Sequence, residues 1–322
     1  DEASGHYPNK IPAYEPAPHH ELIASKLEAV MRGDIKRLII CMPPRHGKSE
    51  LASRRFPSFF MGHHADKQII AASYNSDLSN DFGREVRNIV DSPEFGKLFN
   101  VTLAQDSKAA NRWHTNAGGM YVAAGVGTAI TGRGADILLI DDPFKDRQEA
   151  DSELQRQRVW DWYTSTAYTR LMPGGAIVVI NTRWHDDDLS GRLLAAQSTG
   201  GDKWEVLSLP AIDADGEALW PAWYPLERLE QIRGVLPARD WNSLYQQNPI
   251  PDDGDYFKAD WFGSYTELPK LNIYGASDYA VTESGGDFTE HGVFGVDQNS
   301  NIYVLDWWYG KTDAAQWIER KC

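Results

Sequence analysis

Residues 39–51 read IICMPPRHGKSEL. The apolar run Arg37-Leu38-Ile39-Ile40-Cys41 has the β-branched character of a strand buried in a parallel sheet. Past the tight loop, Lys48 to Arg55 offers good helix formers. Strand, loop and helix in that order let backbone N–H groups and a helix N-terminus cradle phosphates, with Gly47 in the loop, Lys48 reaching the β- and γ-oxygens and Ser49 ligating Mg²⁺. The Gly-Lys-Ser tripeptide alone is a weak signal, and Met42 stands where the first glycine of such a loop belongs. A nucleotide site therefore needs partners elsewhere in the chain.

The partner is ADILLIDDP, residues 135–143. Its apolar residues run into Asp141-Asp142, which sets both carboxylates at the carboxyl end of a buried strand, where open α/β sheets bind ligands. A phosphate loop needs one carboxylate there for the Mg²⁺ shell, and nucleotide hydrolysis needs another to orient the attacking water. Asp141 is assigned the first role and Asp142 the second. By itself the stretch also reads as a strand ending in an Asp-Asp-Pro turn; the loop upstream tips the balance.

Outward from these motifs, elements alternate. A polar, proline-rich segment, residues 1–20, reads as an extended arm, and residues 21–33 as a helix with Leu22, Ile23, Leu27 and Val30 on one face and Gly33 as its stop. Strand 68–74, helix 76–90 capped by Ser or Asp, hairpin 112–127, strand 136–143, helix 152–171, strand 175–184, helix 187–197 and strand 204–210 follow, then helices at 226–232 and 238–246. Strands alternating with helices imply an α/β fold with a parallel central sheet covered on both faces. In the segment HDDD, residues 185–188, the acids read as a helix cap that complements the dipole rather than as a metal cluster.

Composition is that of an ordinary globular protein, with 42% hydrophobic and 24% charged residues in 322. Two cysteines, Cys41 and Cys322, make no disulfide framework and suit a reducing cytoplasm. No apolar run is long enough for a membrane span. The net charge of −14 argues against a broad basic coat, yet leaves room for a local basic surface.

The runs PPRHGKSEL, TGRGADILLIDDPFKD, INTRWHDDDLSGRL and YQQNPIPDDGDYF, in that order, resemble the large terminase subunit of tailed bacteriophages or prophages. The resemblance extends from Pro16 over nearly the whole chain. It implies a P-loop ATPase of the RecA-like, additional-strand class (residues 21–247), a linker (248–258) and the start of a ribonuclease-H-like nuclease domain (259–322). The activity implied is ATP-driven translocation of viral double-stranded DNA into a procapsid in the bacterial host cytoplasm. The implied cofactors are ATP and Mg²⁺, with Mg²⁺ or Mn²⁺ for the nuclease. The implied partners are DNA, the portal or procapsid, the small terminase subunit and further copies of the chain, with no membrane.

Carried over by motif, the resemblance makes Lys48 and Ser49 the loop lysine and hydroxyl, and the family's frequent lack of the first loop glycine answers Met42. Asp142 replaces a more usual glutamate, so either its water sits closer to the strand or a neighbour such as Glu149 contributes. Arg45 either adds charge near the γ-phosphate or is a solvated loop residue. His20, after Pro18-His19, either contacts adenine or is an exposed arm residue. Thr182 matches the coupling residue that senses the γ-phosphate. Arg133, between Gly132 and Gly134, suits a finger inserted into a neighbour's site or a pair with a surface acid. A monomeric P-loop nucleotide enzyme and a non-catalytic capsid-docking scaffold are the alternative functions.

Beyond the linker, 272–280, 291–298 and 301–310 read as three antiparallel strands joined by short turns, followed by a helix. Asp278, and less strongly Asp287, match the family's first nuclease acids. Asp306 reads as an edge residue. The domain is expected to be incomplete here and the chain not to cleave DNA by itself.

Overall fold

In the computed structural model, which describes residues 16–130, 132–249, 262–278 and 289–310, the chain divides into two units, Asp1–Asp255 and Tyr256–Cys322. The first unit runs α1 (Pro18–Arg32), β1 (Arg37–Cys41), the phosphate-loop segment, a π-helical turn Glu50–Arg55, α2 (Phe56–His63), β2 (Gln68–Ser73), α3 (Ser76–Val90) and α4 (Pro93–Phe99). It continues through β3 (Leu103–Lys108), β4 (Arg112–Thr115), β5 (Met120–Gly125), β6 (Ala135–Asp141), α5 (Arg147–Asp151), α6 (Glu153–Trp162), β7 (Leu171–Asn181), α7 (Leu189–Ser198) and β8 (Glu205–Ser208). Two short helices, α8 (Leu226–Val235) and α9 (Ala238–Asp240), the latter running into a π-helical turn Trp241–Tyr245, close the unit.

These strands form one eight-stranded sheet in the order β3-β4-β5-β2-β6-β7-β1-β8. From β5 to β8 every neighbouring pair is parallel, as the helical crossovers require. The sheet is not parallel throughout: β4 turns tightly into β5, which runs antiparallel to it, and β3 adds a further antiparallel strand at that edge. β3 was not apparent from the sequence, because LAQDSK has no apolar alternation.

Alternation along the central strands builds two cores. Leu38, Ile40, Ile69, Ala71, Leu139, Val178 and Ile180 join Ile23, Phe60 and Val86 on one side. Ile39, Ile70, Ala72, Leu138, Ile140, Ile177 and Val179 meet Val159, Trp162 and Leu193 on the other. Burying each of the Leu, Ile, Val and Phe side chains contributes about 1.5–3 kcal/mol, which is why strands this apolar occupy the middle of the sheet.

Three local expectations change. Leu22 is 39% exposed, so the buried face of α1 is Ile23, Leu27 and Val30. α3 is capped by Asn75, whose Oδ1 accepts from Leu78 N at 2.9 Å, not by Ser or Asp. α1 begins at Pro18, which takes His19 and His20 out of the extended arm and into a helical first turn.

Topology positions the site. Strand β7 lies between β1 and β6, with Cys41 beside Asn181 and Asp141 beside Ile180, so the carboxyl ends of all three strands open on one edge. The second unit is a three-stranded antiparallel sheet, β11 (Ile302–Gly310), β10 (Thr289–Val296) and β9 (Asn272–Asp278), with a bulge at Val293/Phe294. The link from β9 to β10, residues 279–288, is longer than the short turn expected; it lies outside the described residues, and Asp287 with it.

Candidate functional site

The loop after β1 turns on residues of positive φ, Arg45 at 63° and Gly47 at 94°. Only glycine suits the second position. Its φ is left-handed, and a Cβ there would stand 2.8 Å from His20 Nε2. From this turn the helix starts at Lys48, and the π-helical turn that follows sends Ser49 and Ser53 to the same carboxylate. Ser49 Oγ donates to Asp141 Oδ1 at 3.2 Å, and Ser53 Oγ donates to Asp141 Oδ2 at 2.5 Å.

Asp141 is buried, and burial together with the adjacent Asp142 charge pushes its carboxyl up to about 6, against the pull of Lys48 and the two serine hydroxyls. Asp142 has a different setting. It leaves the strand at φ 42°, its Oδ1 accepts from Thr182 N at 2.8 Å, and its Oδ2 lies 3.0 Å from Lys48 Nζ. Burial alone would lower the Lys48 ammonium, but Asp142 and Asp141 outweigh it and hold the group above the usual lysine value.

Thr182 closes the circuit from the end of β7: its Oγ1 donates to Met42 O at 3.2 Å. One residue thus touches both the loop and the catalytic carboxylate candidate. Next to it, Arg183 N donates to Gln247 Oε1 at 3.2 Å, and Arg183 Nε donates to the buried Asp188 at 2.7 Å. Asp188 also caps α7 through Gly191 N at 3.0 Å, as read from the sequence. Asp187 pairs with Arg156 and Arg192. Among the described residues no group of three His, Cys, Asp or Glu is arranged as a metal cluster.

Other expected residues fall as follows. Arg45 is exposed on the loop, with no hydrogen bond or ion pair among the described residues. Glu149 does not join the carboxylates; it accepts from Lys145 N at 2.9 Å and closes its own turn. Arg133 precedes β6, so it stands at the opposite edge of the sheet from Asp141, about 20 Å away by strand length. Asp278 ends β9, exposed and beside Glu290.

His20 is not an exposed arm residue; it is 3% exposed, and both ring nitrogens meet backbone groups of the chain. His19, His20 and His46 gather under Trp220 and Tyr224, with Tyr224 stacked on His46 at 4.6 Å and 15°. The spacing Ser49 to Ser53, one helical turn, was a signal available in the sequence. Trp220 and Tyr224 gave none, because their partners are remote in the chain.

Residues 39–264 match the family model for the terminase large subunit, T4likevirus-type, N-terminal. Among solved structures, the HK97 bacteriophage large terminase is 13% identical, with a TM-score of 0.51 over 93% of this chain and 64% of that protein. The ATPase domain of the Thermus phage P74-26 large terminase is 14% identical, with a TM-score of 0.47 over 74% of this chain and all of that domain. The large terminase of a thermophilic bacteriophage, in complex with ATP-γ-S, is 11% identical, at 0.39 over 92% of this chain and 71% of that one. The chain thus spans 64% of the length of the HK97 protein. No curated protein matches it.

Proposed function

The chain belongs to the terminase large-subunit family, and on that premise we propose that it is the ATP-hydrolysing subunit of a motor that drives viral double-stranded DNA into a procapsid. The observation that carries the reading is the convergence of Lys48 and Ser49 with Asp142 and Asp141 at the open ends of β1 and β6. Loop lysine, loop hydroxyl and two strand-end carboxylates are the parts that phosphoryl transfer to water requires.

In this reading the β- and γ-phosphates of ATP draw Lys48 away from Asp142. Asp142 Oδ2 is then available to accept from the attacking water, while Thr182 N keeps the other oxygen in place. The Ser49 hydroxyl and the Asp141 carboxylate are hard oxygen donors on neighbouring elements, a set that fits Mg²⁺, which takes few protein ligands and keeps waters and phosphate oxygens. Mg²⁺ held there would neutralise charge on the phosphates. Arg45 adds positive charge at the loop. Thr182, bonded to loop and carboxylate alike, couples the site to Arg183 and Gln247. Arg133, too distant for its own site, serves a neighbour's in a homo-oligomer on the portal.

The second unit is proposed to begin a ribonuclease-H-like endonuclease using Mg²⁺ or Mn²⁺, with Asp278 and Asp287 among its ligands. Double-stranded DNA, the procapsid and a small terminase subunit are the proposed partners, in the cytoplasm of a bacterial host. No helix among the described residues is long and apolar enough to cross a membrane.

The deciding experiment is ATP hydrolysis by the purified chain with and without linear double-stranded DNA and procapsids. Stimulation by both is expected of the motor. Hydrolysis indifferent to DNA would favour a free-standing nucleotide enzyme, and none under any condition a scaffold.

A further inference from the structure

We propose that His20 is a positioning residue: its neutral imidazole is a strut between the N-terminus of α1 and the phosphate loop, and it sets the direction of the loop's Gly47 N–H. The inference rests on the nucleotide-site reading above and adds what holds the loop in shape.

The bonds fix the tautomer. Ala17 N–H donates to His20 Nδ1 at 3.2 Å, half of a capping box with histidine in place of the usual Glu or Gln. With Nδ1 accepting, the ring hydrogen is on Nε2, which donates to His46 O at 3.2 Å. His19 Nε2 donates to the same carbonyl at 3.1 Å, so both lone pairs of that oxygen are taken from the α1 side.

The consequence follows from the peptide plane. His46 C=O and Gly47 N–H belong to one trans peptide, and the described chain has no cis bond, so the two groups point in opposite directions. Two imidazoles holding the carbonyl toward α1 turn Gly47 N–H away from it, into the concave side of a loop whose flanking residues, Arg45 and Gly47, have positive φ. Such a turn is an anion-binding nest. Trp220 packs edge-on against His20 at 4.6 Å and 83°, closing the strut off from water. Burial also keeps the ring below the usual histidine pKa and thus neutral, as both bonds require.

Two substitutions separate the halves of the strut. His20→Asn offers an acceptor where Nδ1 sits and nothing at Nε2; His20→Gln offers a donor where Nε2 sits and no acceptor at Nδ1. Titration of the full chain with a fluorescent ATP analogue and Mg²⁺ should show H20N weakened about tenfold and H20Q within about threefold of wild type, the loss expected for one loop-holding hydrogen bond. Thermal melts by circular dichroism accompany both. H20N binding like wild type, or H20Q losing as much as H20N, would overturn the strut; so would an H20Q chain that fails to melt cooperatively beside a folded H20N, which would put the residue's role in the cap. A wild-type chain that does not bind the analogue would instead sink the nucleotide-site reading itself.

Discussion

Lys48 Nζ lies 3.0 Å from Asp142 Oδ2, an ion pair that ties the loop after β1 to the end of β6 across the intervening strand β7. It holds one cation against two adjacent carboxylates, and in the proposed mechanism the same cation meets the transferring phosphate. Lys48→Ala is therefore expected to lower ATP hydrolysis at least about 100-fold. Phosphate release measured beside a circular dichroism melt checks this; a folded mutant retaining more than about a twentieth of wild-type activity would remove Lys48 from the mechanism.

Ser53 donates at 2.5 Å to a buried carboxylate oxygen of Asp141 and is itself 1% exposed. Ser53→Ala leaves that oxygen short of a partner, so unfolding in urea should show a loss of about 1–3 kcal/mol. The Asp141 carboxylate would also be held less firmly, and a higher Mg²⁺ concentration should be needed for half-maximal hydrolysis. An unchanged urea midpoint would mean that the short contact contributes nothing.

Arg133 is far from its own chain's Lys48 and has no hydrogen bond or ion pair among the described residues. If it completes a neighbour's site, Arg133→Ala and Lys48→Ala subunits, each inactive alone, should regain hydrolysis when mixed, because some mixed interfaces then hold one intact composite site. Co-assembly confirmed by light scattering with no recovery of activity would rule out the role.

His19 is pushed down to about 4 from 6.5, first by burial and then by electrostatic interaction with the neighbouring His20, so the folded chain accommodates it neutral. Above pH 6.5 neither state binds the proton and its contribution to stability is complete. Between 6.5 and 4 the unfolded chain binds it and the folded chain does not, so stability is lost as pH falls through that window. Melting temperature should drop across this range, and His19→Gln, which keeps a donor for His46 O without titrating, should make the drop shallower. Identical pH slopes for the two proteins would show that His19 does not carry the pH dependence.

The sheet and its two layers were legible in the sequence, because β1, β6 and β7 are runs too apolar to be anything but central strands and the segments between them have helical periodicity. The loop Gly47-Lys48-Ser49 and the pair Asp141-Asp142 were legible for the same kind of reason: each is a local motif whose chemistry depends on neighbours in the chain. Thr182 was named by the motif resemblance, but its contacts needed the order of strands. Nothing in INTRW says that β7 lies between β1 and β6, and only that placement brings its backbone N–H to Asp142 and its hydroxyl to Met42.

What the tertiary structure alone decided is the surroundings of the loop. His19 and His20 lie in a segment rich in proline and polar side chains that has no pattern to bury; both rings close on His46 O under Trp220, and His20 does so in the space that Gly47, lacking a Cβ, leaves open. Those contacts join residues that are far apart in the sequence. Local spacing can fix a strand, a turn or a cap, since their hydrogen bonds close within a few residues; it cannot fix which remote side chain fills the space a glycine leaves, and that is settled only when the whole sheet has formed.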